Sequence, residues 1–362
     1  MKSFMEILPR FSNIKTVLGA AVASLGLTSI AWSAEPSITQ FCGTKPIKVG
    51  LATGFNGNSW RQISRAELED EASKCKNITE VVYADGQLNP QKAISDIQGL
   101  VAQGVNALVV FPDAGPALLP AIRDAYKSGV AVVPYISSPG GQAGRDYVAA
   151  LTPDNVALGR TWATWTVERL KGKGLVAFLG GTPGGTSEQA IYAEVKKVFA
   201  AHPDMKLLEG IHITNYTAAD AQKTMTGLLA QHPDIAAVIS SYGGSSVGAV
   251  RAFATSGRKL VPFATSDMNE LGCEFQEYKP TNPGFELLTT GSWTSQSRAA
   301  LRKAVAATQG LVDNEPNAQV PTVLEDSSKP NMQPRCDKSL PLDVPMSAML
   351  SRDQLKVLFS KK

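Results

Sequence analysis

Short apolar runs alternate with helix-length amphipathic segments along most of this 362-residue chain, and few folds accept that pattern. The runs fall at residues 47–52, 81–84, 107–111, 131–136, 175–179, 207–212, 236–240, 261–265 and 287–290. Several are β-branched and apolar throughout, as a parallel strand covered by helices on both faces requires. Between them, Ile94, Ile97 and Val101 form one stripe, and Ala221, Met225, Leu228 and Leu229 form another. Spacings of three and four place each set on one side of a helix. Pro90 and Pro116 stand where a first helical turn tolerates proline, and Gly104 and Gly129 where a helix ends. Strand–helix alternation predicts parallel α/β sheets.

The order repeats. One set of units spans 47–136 and a second spans 175–265, with similar spacing. The expectation is α/β with two doubly wound, Rossmann-like parallel-sheet domains of like build. Residues 137–154, rich in Gly, Pro and Ser, include a crossing between them. Residues 312–345, rich in Pro, Asp and Asn, are expected to wrap the surface. Residues 351–359 read as a short final helix capped by Ser351.

The first 34 residues predict a cleaved secretory signal. A basic segment ends at Lys15, and an apolar core spans 17–27. Ala31-Trp32-Ser33-Ala34 then offers small residues at a cleavage site, so the cut is placed after Ala34. A membrane anchor is the competing reading, but about 20 apolar residues are needed to span a bilayer. No Cys follows the cut to carry a lipid, and no later stretch is long and apolar enough to span. The mature chain is therefore expected in the periplasm, without membrane insertion. Lys and Arg number 35 against 32 Asp and Glu, with no basic block, which argues against a nucleic-acid partner.

Export suits the cysteines, of which there are four: Cys42, Cys75, Cys273 and Cys336. They have no CxxC and no His at ligand spacing, so no metal is expected. If 47–52 is a strand and 59–74 the helix after it, the helix returns antiparallel and brings Cys75 to Cys42. Cys273 is left with Cys336.

Two motifs resemble those of enzymes. Gly244-Ser245-Ser246-Val247-Gly248 matches the G-x-S-x-G elbow of serine hydrolases, and it follows a strand and opens a helix. A hydrolase of that kind needs a downstream His, and the last of the three histidines, His232, precedes the serine. The Gly180–Thr186 turn resembles a phosphate loop but has no Lys before its Thr. Neither supports catalysis, and no catalytic residue, cofactor or metal is assigned.

Polar and aromatic residues remain, placed just past the C-terminal ends of strands, where open α/β sheets bind ligands. Asn58, Trp60 and Arg61 follow the first run and Asp113 the third; Tyr135 ends the fourth. Tyr192 lies in the helix after the glycine-rich turn, and Tyr216 follows the 207–212 run. Tyr242, Asp267 and Trp293 follow the last three runs. Aromatic faces stack on the C–H face of a sugar or polyol, and Asp, Asn and Arg pair with its hydroxyls.

At these residues the chain resembles the class I periplasmic solute-binding proteins of ABC sugar importers, the ribose-binding type. The resemblance covers residues 45–324. It rests on Asn58-Ser59-Trp60-Arg61, Asn89-Pro90, Thr152-Pro153-Asp154-Asn155, the Gly185–Ser187 turn and Ser266-Asp267, in that order and spacing. It implies the type I periplasmic binding protein fold, two α/β domains joined by three crossovers that close on one small carbohydrate. It also implies a monomer that presents the closed form to an ABC transporter permease. The domains implied are 41–151 with 293–321, and 152–292 with 322–328, followed by a tail at 329–362. Asn58, Trp60 and Arg61 match the ligand loop of the first domain; Tyr192, Tyr216, Tyr242 and Asp267 match contact positions of the second. Ile136-Ser137 stands where ribose binders have Asp-Arg, Tyr192 where they have Arg, and Tyr242 where they have Asn. The pocket has lost charge and gained aromatic surface, which points to a small sugar or polyol other than ribose. Without obvious sequence partners, Arg61 and Asp267 are expected to hold ligand hydroxyls from opposite domains. Two rival readings are the ligand-loaded partner of a chemotaxis or signalling receptor, and a secreted serine hydrolase.

Overall fold

The computed structural model describes residues 36–181, 183 and 185–360; the expected signal and its cleavage site lie outside them. The first sheet holds β1 (Ile47–Thr53), β2 (Ile78–Asp85), β3 (Ala107–Val110) and β4 (Ala131–Pro134), all parallel in the order β2-β1-β3-β4. Helices α1 (Ser59–Ala72), α2 (Pro90–Ala102) and α3 (Leu119–Lys127) connect them. The chain then crosses through β5 (Thr152–Pro153) to a second sheet.

That sheet holds β6 (Gly174–Gly180), β7 (Met205–Leu207), β8 (His212–Ile213), β9 (Ile235–Ser240), β10 (Phe263–Ser266) and β11 (Leu287–Thr290). Its helices are α4 (Asn155–Leu170), α5 (Thr186–Phe199), α6 (Ala218–Gln231), α7 (Gly243–Thr255) and α8 (Asn269–Tyr278). After β11 the chain returns to the first sheet as α9 (Gln296–Gln309). It passes back through β12 (Ala318–Gln319) to β13 (Val323–Asp326), which pairs antiparallel with β11. Three crossings thus join two doubly wound domains, and β5 and β12 pair side by side in two of them. The 207–212 run, expected as one strand, is split into β7 and β8. Gly210 turns the chain there at φ +89°, a backbone region open to glycine.

Alternation within the strands explains their unbroken hydrophobicity. Val49, Leu51, Val109 and Val133 pack with Leu68 of α1 and Ala300, Leu301 and Val305 of α9. Their neighbours Leu108, Val110 and Val132 pack with Ile97 of α2 and Ile122 of α3. Both faces are therefore core, as a parallel sheet demands. The G-x-S-x-G match is a packing feature. A Cβ on Gly248 would lie 2.1 Å from the Ala218 carbonyl, so a glycine is what lets α7 approach α6. Ser246 is fully buried, and its hydroxyl has no hydrogen-bond partner among the described residues.

Both expected disulfides form, Cys42–Cys75 and Cys273–Cys336. The final helix is present as α10 (Arg352–Ser360). Gln354 N–H donates to Ser351 Oγ (3.2 Å), and Ser351 N–H donates back to Gln354 Oε1 (2.8 Å), a reciprocal cap. The segment before it departs from expectation. It does not merely cover the surface: Leu340, Val344 and Leu350 are buried with Leu355 against Ile63 of α1.

Candidate functional site

The C-terminal ends of β1, β3 and β4 carry the first cluster. Asn58 caps α1, its Oδ1 accepting from Arg61 N–H at 2.9 Å. This cap turns the chain so that Arg61 lies back over the sheet end. The Arg61 guanidinium sits 3.5 Å from the Phe111 ring centroid and within 5.4 Å of those of Phe55 and Trp60. Its fork reaches Asp113, with Nη1 donating to Oδ2 at 3.1 Å and Nη2 donating to Oδ1. Asp113 Oδ2 also accepts from Gly54 N–H at 2.7 Å. A side chain at residue 54 would strike the Asp113 carboxylate, which accounts for the glycine there. Arg61 therefore has a partner within its own domain, contrary to the sequence expectation. Its charge is compensated before any ligand arrives.

The second cluster stands at the ends of β6, β8 and β9. The rings of Tyr216 and Tyr242 meet edge to face at 5.8 Å. Tyr216 lies at φ +56° with its ring flat against Gly181, where any Cβ would overlap it. Its hydroxyl donates to Glu188. Tyr216 is 43% exposed, so part of the ring remains open to a ligand. Burial pushes the Tyr242 hydroxyl up to about 12, helped by the nearby carboxylates of Asp343 and Glu270, so it stays a neutral donor.

Asp267 follows β10 and is buried, with 1% exposure. Ser347 N–H donates to its Oδ2 at 2.6 Å and Ser347 Oγ to its Oδ1 at 3.0 Å. Burial raises this carboxyl to about 6, against the opposing effect of the Ser347 and Ser292 hydrogen bonds. In the neighbouring crossing, Ser292 N–H donates to Ser347 Oγ (3.0 Å). Trp60 Nε1 donates to the Ser292 carbonyl from the other domain (2.8 Å). Trp293, one residue on, stands at φ +58° and packs against the core of the second domain.

Two expected contact residues are held elsewhere. Tyr135 is fully buried in the first-domain core, edge-on to Phe111 at 5.3 Å, with its hydroxyl 3.2 Å from Ser64 Oγ. It supports the Arg61 platform from beneath and does not reach the cleft. Tyr192 faces the core beside Phe178. Its hydroxyl donates to the Leu208 carbonyl (3.2 Å) and accepts from Gly210 N–H (2.9 Å), fixing the turn that splits β7 from β8. Sequence reasoning missed Glu188, Ser292, Asp343 and Ser347. Ser292 adjoins a predicted residue, and Cys336 already marked the tail as tied to α8. Nothing in composition signals where Asp343 and Ser347 land. An open depression of about 390 Å³ beside α6, lined by Ile213, Asn215, Lys223 and Gln231 among others, includes none of the predicted residues.

Comparison with known proteins agrees with this architecture. The periplasmic binding protein domain family matches residues 49–277. The xylitol-binding protein of Mycolicibacterium smegmatis is 28% identical over 261 residues, covering 72% of each chain. The ribose import binding protein of Bacillus subtilis is 30% identical over 223 residues, covering 60% of this chain and 68% of its own. Among solved structures, the Caulobacter myo-inositol binding protein bound to myo-inositol superposes with a TM-score of 0.66 at 25% identity. The match covers 78% of this chain and 95% of that one.

Proposed function

This chain belongs to the periplasmic binding protein domain family, and from that premise we propose that it captures a small sugar or polyol between its two domains and delivers it to an ABC importer. The observation that carries the reading is the pairing of unlike clusters at the facing strand ends. Arg61 and Asp113, backed by Phe55, Trp60 and Phe111, offer a planar donor and acceptor set framed by rings. Tyr216 and Tyr242 offer ring faces, and Tyr242 a neutral hydroxyl. A polyhydroxylated ligand uses both kinds of surface, apolar faces for its C–H bonds and paired polar groups for its hydroxyls. Relatives that bind xylitol, ribose and myo-inositol support the ligand class. Trp60, Arg61, Asp113, Tyr216, Tyr242, Asp267 and Trp293 form the proposed contact set, with Asn58 fixing the Arg61 turn. The domains are divided at 41–151 with 293–321 and 152–292 with 322–328. The chain works in the periplasm after cleavage behind Ala34, and it performs no chemistry on its ligand.

The test is calorimetry and thermal shift of the mature protein across monosaccharides and polyols. A ligand present at about 1,000 times its Kd stabilises a protein by about 4 kcal/mol, an effect easily seen. Failure of every sugar and polyol to shift the melting temperature sinks the reading.

A further inference from the structure

The C-terminal segment of residues 337–360 bridges the two domains at the strand ends. On the second domain it is tied by Cys336–Cys273, and Asn269 Nδ2 donates to the carbonyls of Asp337 (2.9 Å) and Pro341 (3.1 Å). The first free N–H groups of α8, those of Asn269 and Glu270, donate to the carbonyls of Val344 (2.9 Å) and Leu342 (2.8 Å). A Cβ on Gly272 would lie 1.9 Å from the Arg335 carbonyl, so α8 is shaped to receive this segment. On the first domain, Asp343 accepts from Ser59 N–H (3.1 Å) and Ser59 Oγ (2.7 Å), capping α1. Met349 N–H donates to Glu67 (2.6 Å). Between these anchors Ser347 meets Asp267.

That meeting has a specific form. Two donors on adjacent positions, an N–H and an O–H, each take one oxygen of the same carboxylate. Vicinal hydroxyls of a sugar or polyol grip a carboxylate in the same two-point way. With Asp267 1% exposed, a ligand cannot add to this contact; it has to replace it. We propose that Ser347 is a built-in competitor that imitates a ligand diol, so that Asp267 receives a ligand only when the 343–351 strap leaves. The proposal rests on the sugar-receptor reading above. The strap leaves by its first-domain end, because the disulfide keeps the other end on α8. Apparent affinity is then the intrinsic affinity reduced by the fraction of molecules whose strap is open.

The experiment uses the full mature chain and a panel of D-ribose, D-fructose, xylitol and myo-inositol. Ser347→Pro removes both donors; Asp343→Asn loosens the strap on α1 without touching Asp267. Calorimetry is expected to show a panel member binding Ser347→Pro about tenfold tighter than wild type, with Asp343→Asn in between. In the wild type, hydrogen exchange at the Ser347 amide is expected to quicken when that compound binds, which tests the idea even where a variant folds poorly. Binding with equal affinity in all three proteins and an unchanged Ser347 amide would show strap and ligand side by side. That result overturns the competitor and leaves the receptor reading standing. If no panel member binds the wild type or either variant, the receptor reading fails for this ligand class, and the competitor falls with it.

Discussion

Arg61 and Asp267 stand at the strand ends of opposite domains, nearly buried, and each already has hydrogen-bond partners within the chain. Their partners differ in origin. Arg61 is held by Asp113, 52 residues away but at the end of a neighbouring strand in the same sheet. Asp267 is held by Ser347, 80 residues downstream, in a segment anchored to both domains. The first arrangement moves with its domain whatever the hinge does. The second exists only while the strap is seated. One half of the cleft is thus preformed by its own domain, and the other depends on a part of the chain outside the 49–277 family match.

The two disulfides sharpen this comparison and carry the largest expected effect. Cys42–Cys75 closes the end of α1 onto the segment before β1, within one domain; Cys273–Cys336 ties the strap to α8. With sequence separations of 33 and 63, each constrains the unfolded chain by roughly 4 kcal/mol in the loop-entropy model. Replacing either pair by alanine is expected to lower the unfolding free energy by about that amount in urea. Only loss of Cys273–Cys336 is expected to speed exchange at the Ser347 amide. Equal exchange in both variants would mean that packing alone seats the strap.

The ion pair comes next. Asp113→Ala strands a guanidinium that is 8% exposed, and removing one partner of a buried pair costs about 3–5 kcal/mol. Because part of Asp113 meets solvent, a loss near 3 kcal/mol is expected. Asp267→Asn keeps the size of the side chain and one acceptor for Ser347, and at about pH 4.5, where the buried carboxyl still holds its proton, a loss under about 1.5 kcal/mol is expected, one hydrogen bond at most. Chemical denaturation of both variants measures the contrast. Similar losses would break it, since Asp267 would then be as deeply structural as the Arg61 pair.

Much of this was legible in the sequence because local signals and tertiary needs coincided. Both-face burial shows as unbroken apolar strands, and the βα return explains Cys42–Cys75 without a structure. The Asn58 cap and the Ser351 cap follow from side chains that suit a helix start. What stayed hidden is partnership at long range. Arg61 and Asp113 both stand past strand ends, but nothing in linear spacing says that they satisfy each other. Tyr135 ends a strand and Tyr192 lies in the helix that follows one, yet a tyrosine hydroxyl turned inward needs a partner, and theirs lie in the core and in a turn. The strap is the clearest case. Its Pro-rich composition reads as surface, and only the tertiary fit of Leu340 and Val344 beside Ile63 places it inside.

The smallest effect is a pH dependence that isolates Asp267. Burial raises its carboxyl to about 6 in the folded protein, while the unfolded chain titrates near 3.9. Between those values the folded state holds a proton that the unfolded state has lost. Stability contributed by this group is therefore full below about pH 4 and declines as pH rises through 6. Glu274, raised to about 7 by burial against Arg251, acts in the same direction but is present in both wild type and Asp267→Asn. Carboxylates held low, such as Glu71, which is stabilised by Lys74 and Arg302 against its burial, also cancel in that comparison. The stability of wild type relative to Asp267→Asn is expected to fall by about 2 kcal/mol from pH 4.5 to pH 7, as two linked pKa values about two units apart require. Urea denaturation of both proteins at the two pH values measures it. A difference that does not change with pH would mean that water reaches the carboxylate and the strap does not seal it. The contrast between a domain-held Arg61 and a strap-held Asp267 would then lose its energetic basis.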